Sequence, residues 1–374
     1  MKIILDAMGG DFAPDIVVEG ASLVRKEMNH ELILVGDETK IRRAADRTHV
    51  DLNDPGIQIV HCTQEITMED SPLSVREKPD SSLRVGFKLL KDGFGDAFVS
   101  AGNTGALHAG STLYVHRIKG VLRSAIATIL PLEKPILLID SGANATVDAA
   151  HLYQFAIMGS IYMEKIFGIA HPTVGLLNIG TESKKGTPVH VEAYELLRKS
   201  NLNFIGNVEG KEVPFGKCDV LVADGFSGNI LLKTIEGMGS FFGKKLKAIF
   251  KSNPASLVSA LLVKKQVDNL KKSFDASEYG GAPFLGISRP VIKAHGSSDA
   301  LAIKNAVRQA IFYYNTGIIK DISKHCALPE GVTVSRPKPA SKPESKPESK
   351  ATPADSEASQ SAPASQGTSE KSDS

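Results

Sequence analysis

Four short apolar runs in this chain end in the same way, and that repetition decides what the chain can fold into. Ala97-Phe98-Val99-Ser100 leads into Ala101-Gly102-Asn103-Thr104-Gly105-Ala106, and Ile136-Leu137-Leu138-Ile139-Asp140 into Ser141-Gly142-Ala143-Asn144. Val174-Gly175-Leu176-Leu177-Asn178 leads into Ile179-Gly180-Thr181-Glu182, and Val220-Leu221-Val222-Ala223-Asp224 into Gly225-Phe226-Ser227-Gly228-Asn229. Each reads as a strand emptying into Gly with Asn, Asp or Ser before a helix. One such loop is ordinary turn chemistry. Four of them point to a shared small-residue crevice at the carboxyl edge of an open α/β sheet, where such sheets bind ligands. The N-terminal part keeps the same rhythm. Lys2 to Leu5 is a strand that breaks at Asp6-Ala7-Met8-Gly9-Gly10-Asp11; residues 15–29 place Ile16, Val17, Gly20, Ala21 and Val24 on one helical face; a strand at 31–35, a helix at 37–47 and a strand at 57–61 follow. This alternation predicts an α/β fold with a parallel sheet covered on both faces.

A second feature lies near the end of the apolar pattern, at residues 279–300. Gly280-Gly281 and Gly286 are free to take backbone angles closed to other residues, while Pro283 and Pro290 stiffen the chain between them. Arg289, Lys293 and His295 sit in this loop, and Gly296-Ser297-Ser298-Asp299 opens a helix that Ser297 or Ser298 could cap, with Leu301, Lys304, Val307, Ala310, Ile311 and Tyr314 at helical spacing. A His at a glycine turn before a helix lies among N–H groups suited to an anion.

Composition removes several function classes. A net charge of +2 gives no global basic excess for a nucleic-acid protein. Cys62, Cys218 and Cys326 are odd in number and widely spaced, which suits a reducing compartment and neither a disulfide framework nor a zinc site. The start, Met1-Lys2-Ile3-Ile4-Leu5-Asp6, meets an acid too early for a signal peptide, and no apolar run is long enough to span a bilayer, so the expectation is a soluble cytoplasmic protein. No nucleophile elbow, P-loop, dinucleotide fingerprint or metal-ligand spacing is present. Asp6 and Asp11 alone are a weak magnesium signal.

Residues 241–274 differ from everything before them. Phe242, Leu246, Ile249 and Phe250 form one helical stripe, Ser252-Asn253-Pro254 breaks it, and Leu257, Val258, Leu261 and Leu262 form a second. Lys244, Lys245, Lys247, Lys251, Lys264, Lys265, Lys271 and Lys272 surround them, with Asp268 the only acid. Such a helical hairpin fits an anionic membrane surface and equally fits an ordinary hairpin against the core or a dimer interface. Residues 334–374 turn to Lys, Pro, Glu, Ser and Ala without apolar period, a composition that predicts a disordered tail behind a domain at 1–333.

Taken in chain order, the motifs resemble a known family. Asp6-Ala7-Met8-Gly9-Gly10-Asp11, Ser100-Ala101-Gly102-Asn103-Thr104-Gly105-Ala106, Asp140-Ser141-Gly142-Ala143-Asn144, Asn178-Ile179-Gly180 with Glu182 and Lys185-Gly186, Asp224-Gly225-Phe226 with Gly228-Asn229, and Gly280-Gly281-Ala282-Pro283 with Leu285-Gly286 and Ala294-His295-Gly296 are similar to the bacterial phosphate acyltransferases of the PlsX family. The resemblance runs from about residue 2 to 312. It implies a three-layer α/β/α sandwich with a mostly parallel sheet, related to phosphotransacetylases and isocitrate dehydrogenases. It implies transfer of a fatty acyl group from acyl carrier protein to inorganic phosphate for phospholipid synthesis, with no cofactor. It further implies a homodimer attached peripherally to the inner face of the cell membrane through the hairpin, close to a membrane-bound glycerol-3-phosphate acyltransferase. Two other readings share the pattern: a phosphotransacetylase acting on short acyl-coenzyme A, and a non-catalytic membrane scaffold. A dehydrogenase is disfavoured by the missing metal-carboxylate pattern.

The implied chemistry explains the residue types. A thioester is already activated and phosphate is a competent nucleophile, so the protein needs only to hold an anion, align it and stabilise an oxyanion. On this reading Lys185 and backbone N–H groups bind phosphate, His295 orients it or steadies the leaving thiolate, and Asn229, Ser227 and Asn103 complete the hydrogen bonds. Gly9, Gly10, Asp11, Thr104, Asn144, Gly228 and Gly281 line the substrate site. The alternative for Lys184-Lys185 is an exposed lysine pair, the commoner fate of adjacent lysines, and residues 71–80 read as a mobile lid or plain surface.

Overall fold

The periodic runs become strands and helices, and the order in which they pair decides which loops meet. The computed structural model describes residues 1–273, 279–329 and 331–332, with side chains given outside 268–278. The first half alternates β1 (Lys2–Asp6), α1 (Asp15–Met28), β2 (Glu31–Gly36), α2 (Glu38–Thr48) and β3 (Ile57–His61), then α3 (Ser74–Glu77), α4 (Ser82–Lys91), β4 (Ala97–Ser100) and α5 (Thr104–Gly110), which runs on into a π-helical turn at Ser111–Val115. The second half holds β5 (Ala125–Pro131), β6 (Pro135–Ile139), α6 (Ala149–Phe167), β7 (Thr173–Asn178), α7 (Pro188–Arg198), β8 (Asn203–Glu209) and β9 (Val220–Val222). After these come α8 (Gly225–Phe250), α9 (Pro254–Ser273), β10 (Ala282–Leu285), β11 (Val291–Lys293), α10 (Ala300–Asn315) and α11 (Ile318–His325).

The eleven strands among the described residues share one sheet, in the order β3-β2-β1-β4-β11-β10-β5-β6-β9-β7-β8. The pairs from β3 to β11 are parallel, as are those from β6 to β8; β10 is antiparallel to both β11 and β5, and β5 to β6. The two parallel halves therefore point toward each other. Their register makes the carboxyl ends meet: Ser100 lies opposite Lys293, Lys293 opposite Ala282, Phe284 opposite Ile126, and Ala127 opposite Ile139. Within a few rungs, the ends of β4 and β11 approach the end of β6.

Residues 279–300 are thus more than a rigid loop. They supply two strands at the centre of the sheet, with Phe284, Leu285, Val291 and Ile292 fully buried. Strands this short, interrupted by Gly286 at φ +90° and by Pro290, leave no alternation to read. A cap also differs. Asp299, rather than a serine, caps α10 by accepting from the Ala302 N–H at 2.8 Å.

Four apolar clusters cover the sheet. In the first half α1, α2 and α10 pack on one face and α4 and α5 on the other. In the second, α6, α7 and α11 cover one face, while the other carries Leu231, Leu232 and Ile235 of α8, with Leu132 and the short turn at Val213–Phe215, over Ile136, Leu138, Val208 and Leu221. Helix α8 joins two features that look separate in sequence. It starts at the Asp224 loop and runs on without a break as the first arm of the hairpin. No helix among the described residues is long and apolar enough to cross a membrane. The tail expected at 334–374, and the side chains of Asp268, Lys271 and Lys272, lie outside the described residues.

Candidate active site

The converging loops enclose a cavity of about 850 Å³ between the two halves of the sheet. On the first-half side, three loops interlock by backbone. A side chain at Gly9 would strike the Asp6 carboxylate and approach the Gly102 nitrogen to 2.6 Å. Gly10 sits at φ +109°, open only to glycine without strain, and the next N–H, of Asp11, donates to the Gly296 carbonyl at 2.9 Å. Asp6 is buried and accepts from the Ser100 hydroxyl at 2.6 Å and the Met8 N–H at 3.1 Å, while burial pushes its carboxyl upward.

Lys293 closes this side. Its ammonium donates to the carbonyls of Ala101 at 2.8 Å and Gly102 at 2.6 Å, and it lines the cavity. Burial pulls its pKa down to about 8, against the opposing charges of Asp6 and Asp11. Of three ammonium protons, two are held by carbonyls and one is left for a ligand. Two residues on, His295 is exposed to the cavity. The Ser297 N–H donates to its Nδ1 at 3.2 Å, and the Ser297 hydroxyl lies 2.9 Å from the same atom. An Nδ1 that accepts leaves the proton of the neutral ring on Nε2, which makes that nitrogen a donor.

The second-half side is built on Asp140. Its buried carboxylate accepts from the N–H groups of Ile126 (3.1 Å), Gly142 (3.1 Å), Ala143 (2.9 Å) and Asn144 (2.7 Å), which curls residues 140–144 into a rigid turn. Helix α8 is pressed against that turn. A side chain at Gly228 would overlap the Asp140 carbonyl, and one at Gly225 would come within 2.7 Å of the Asn144 backbone. This close approach sets Asn229 beside Gly142 at the cavity wall. The first N–H groups of α8 are already used: Gly225 donates to the Asn144 carbonyl, and Phe226 and Ser227 to the Asp224 carboxylate. Polar contact with a ligand on this wall therefore falls to side chains: Asn229, the Thr128 and Ser141 hydroxyls, and the Lys233–Glu236 pair 2.7 Å apart.

The structure sorts the residues expected at the site. Asp11, Thr104, Asn229, Gly281 and His295 line the cavity together. Gly10 lines an adjoining recess of about 290 Å³, which shares Asp11 and Met68 with it. Asn103 stands behind the wall: its amide nitrogen donates to the carbonyls of Thr67, Met68 and Asp70 at 2.9 to 3.1 Å, and its oxygen caps the Ala106 N–H. That clamp, with the Lys78 ammonium on Asp70 and the Glu65 carbonyl, ties down residues 65–78. Asn144 is likewise behind the wall, its amide on Asp140 and the Ser124 carbonyl. The Ser227 hydroxyl donates to Asp224 at 2.8 Å.

Lys185 is placed apart from these. It is exposed on the loop between β7 and α7, its stem folded over Gly180 and its carbonyl held by the Asn178 amide at 3.0 Å. The first turn of α7, just after that loop, abuts the start of α8 through His190, whose Nε2 lies 4.0 Å from the Asp224 carboxylate. Lys184 beside it is exposed too. Sequence reasoning left Lys293 out of the site set, although it stands two residues from His295, and missed Lys233, Glu236, Thr128 and Ser141. The last two share a 2.6 Å hydroxyl contact at the cavity wall. A helical i, i+3 charge pair such as Lys233 and Glu236 reads as solvated surface until the helix is placed.

Comparison with known proteins comes down on one family. Residues 1–321 match the model of a fatty acid synthesis protein family. A phosphate acyltransferase of Alkaliphilus oremlandii is 47% identical over 326 residues, covering 87% of this chain and 97% of that one. A phosphate acyltransferase of Acetivibrio thermocellus is 46% identical over 325 residues, covering 86% and 95%. In fold, the chain is similar to a phosphotransacetylase of Streptococcus pyogenes, with a TM-score of 0.57 at 20% identity over 84% of this chain and 94% of that one.

Proposed function

This chain belongs to the phosphate acyltransferase (PlsX) family, and on that premise we propose that it moves a fatty acyl group from the thioester of acyl carrier protein to inorganic phosphate, supplying acyl phosphate for phospholipid synthesis. The observation that carries the reading is the cavity itself. It gathers an ammonium (Lys293), an imidazole Nε2–H (His295) and a carboxamide (Asn229) around one space.

The steps follow from those donors. Phosphate enters beside Lys293 and one of its oxygens attacks the thioester carbonyl. The C–O bond forms, the carbonyl oxygen takes the negative charge, and Asn229 donates a hydrogen bond to it. The C–S bond then breaks, and the thiolate leaves with a proton supplied from water or through His295. Lys185 is assigned to the incoming phosphate, reached by movement of the β7–α7 loop across the start of α8. Removing one oxyanion donor costs about 3 kcal/mol, or about a hundredfold in rate. Formation of acyl phosphate by Lys185→Ala and His295→Ala variants tests these roles, and near wild-type turnover in both would sink them.

Membership of a dimer and attachment to a membrane belong to the same proposal. Ile179, Phe215, Phe226 and Ile230 are 80, 74, 63 and 52% exposed, and of these Phe226 and Ile230 stand on α8 at the thinly covered face of the second half, a surface suited to a second copy of this chain. Farther along, Phe242, Ile249, Leu261 and Leu262 are exposed on the hairpin at 60% or more, among Lys244, Lys245, Lys247, Lys251, Lys264 and Lys265. That pattern fits the interface of an anionic bilayer. Lys245→Glu with Lys265→Glu weakens cosedimentation with anionic vesicles while turnover in solution survives; unchanged cosedimentation removes the electrostatic part.

A further inference from the structure

Three segments of the chain contain no carboxylate, and the fold brings them to one surface. Residues 81–91, residues 97–132 and residues 279–298 hold no Asp or Glu. The first is α4 with Ser81 before it, and Arg84 stacks 3.4 Å from the centroid of the Tyr114 ring, on the π-helical turn of the second segment. The chain after that turn is fastened to the third segment: the Ser288 hydroxyl donates to the Val115 carbonyl at 2.7 Å, the Ser288 N–H to the His116 carbonyl at 3.0 Å, and Arg117 bridges to Ile287. Arg84, Lys88, Arg117, Lys119, Arg123 and Arg289 are thereby collected on neighbouring elements. Lys88, Arg117 and Lys119 are exposed and the other three half-buried. Among the described residues none of the six has an ion-pair partner. The acids that share a neighbour with Arg117 and Arg123 are Asp148, at His151, and the hydrogen-bonded Asp140, at His108; Asp92 follows the far end of α4.

This surface adjoins the active-site cavity. Arg123 donates to the Thr146 carbonyl at 2.9 Å, and Gly142, four residues earlier on the same loop, lines the cavity. From Arg289, strand β11 reaches Lys293 in four residues, roughly 13 Å of extended chain.

We propose that this basic surface docks an acidic helix of the protein that carries the acyl thioester. The inference rests on the acyl-carrier reading above and names the surface by which that donor is recognised. Unpaired cations on one face attract a partner of opposite charge and set its encounter rate and register, and a flexible thioester arm spans the remaining distance. The lysines of the α8–α9 hairpin are a poorer match for a folded protein, since they alternate with exposed apolar side chains.

The test uses the full chain with Arg117→Glu and Lys119→Glu combined, both exposed and outside the catalytic set. The expected result is a KM for long-chain acyl carrier protein raised about tenfold, an unchanged KM for phosphate, an unchanged melting temperature, and a flattened salt dependence of the carrier KM. An unchanged carrier KM overturns the proposal. So does loss of binding to phosphatidylglycerol vesicles with the carrier KM intact, which assigns the patch to a lipid surface. If the wild type does not turn over acyl carrier protein at all, the functional reading falls. Calorimetric titration with carrier protein then decides the patch separately: binding by wild type and not by the variant supports it, and equal binding or none refutes it.

Discussion

Two loops with nearly the same sequence chemistry end in different places. The loop after β7 carries Gly180, Lys184, Lys185 and Gly186; the segment at the end of β11 carries Lys293, His295 and Gly296. By residue type they are equal candidates for an anion site. Lys185 nevertheless projects to solvent over Gly180, while Lys293 turns inward onto the carbonyls of Ala101 and Gly102. Sheet order accounts for the difference. Strand β11 lies between β4 and β10, where the two halves face each other, and β7 lies one strand from the outer edge. A cation at the centre meets carbonyl acceptors from a neighbouring loop, whereas one near the edge meets water. Local composition identifies the kind of site; the order of strands decides which copy becomes one.

Variants can break this comparison. The largest effect is expected at the centre. His295→Ala and Asn229→Ala each lower kcat by about a hundredfold, the typical cost of one lost transition-state donor, in steady-state assays at saturating phosphate. Gly228→Ala tests the wall that aims Asn229. A Cβ there overlaps the Asp140 carbonyl, so α8 must shift, costing about 1–3 kcal/mol as overpacking does and lowering both the melting temperature and kcat. A melt identical to wild type would show that the helix start is not clamped as described.

Lys293→Met should weaken phosphate binding by about tenfold, a loss within the range for one charge-assisted hydrogen bond. It also has a pH signature. The Lys293 pKa is drawn down to about 8 by burial, so the group is cationic below that pH and neutral above it. The phosphate KM of the wild type should therefore rise as pH climbs through about 8, and the Lys293→Met variant should lose that step. A wild-type profile flat from pH 7 to 9 removes Lys293 from phosphate binding. Lys185→Ala is expected to have the smallest effect, a few-fold rise in phosphate KM, since its side chain starts in solvent. If it exceeds Lys293→Met, the ranking drawn from sheet order is reversed and loop closure dominates.

Much of the fold was legible because strand runs and glycine–asparagine turns are local signals. The parallel alternation, the crevice at strand ends and the kink at Ser252-Asn253-Pro254 all follow from short-range rules. Strands β5, β10 and β11 were hidden for the converse reason. β10 and β11 are short and separated by Gly286 and Pro290, and the antiparallel pairing of all three comes from other segments, such as Ala127 with Ile139. Site residues divided in the same way. Asn103 and Asn144 have the right type and the right loops, yet their amides are taken up by backbone carbonyls and Asp140, interactions visible only once residues 65–78 and Ser124 are in place. Lys233 and Glu236 became wall residues because α8 is a single helix running from the cavity to the hairpin.

The most direct test of the account is thiol release from a long-chain acyl carrier protein, followed with and without inorganic phosphate and with acetyl-coenzyme A as the competing donor. The account predicts release that depends on phosphate, yields acyl phosphate in equal amount, and falls about a hundredfold in His295→Ala. Release that ignores phosphate, or a preference for acetyl-coenzyme A, would contradict it.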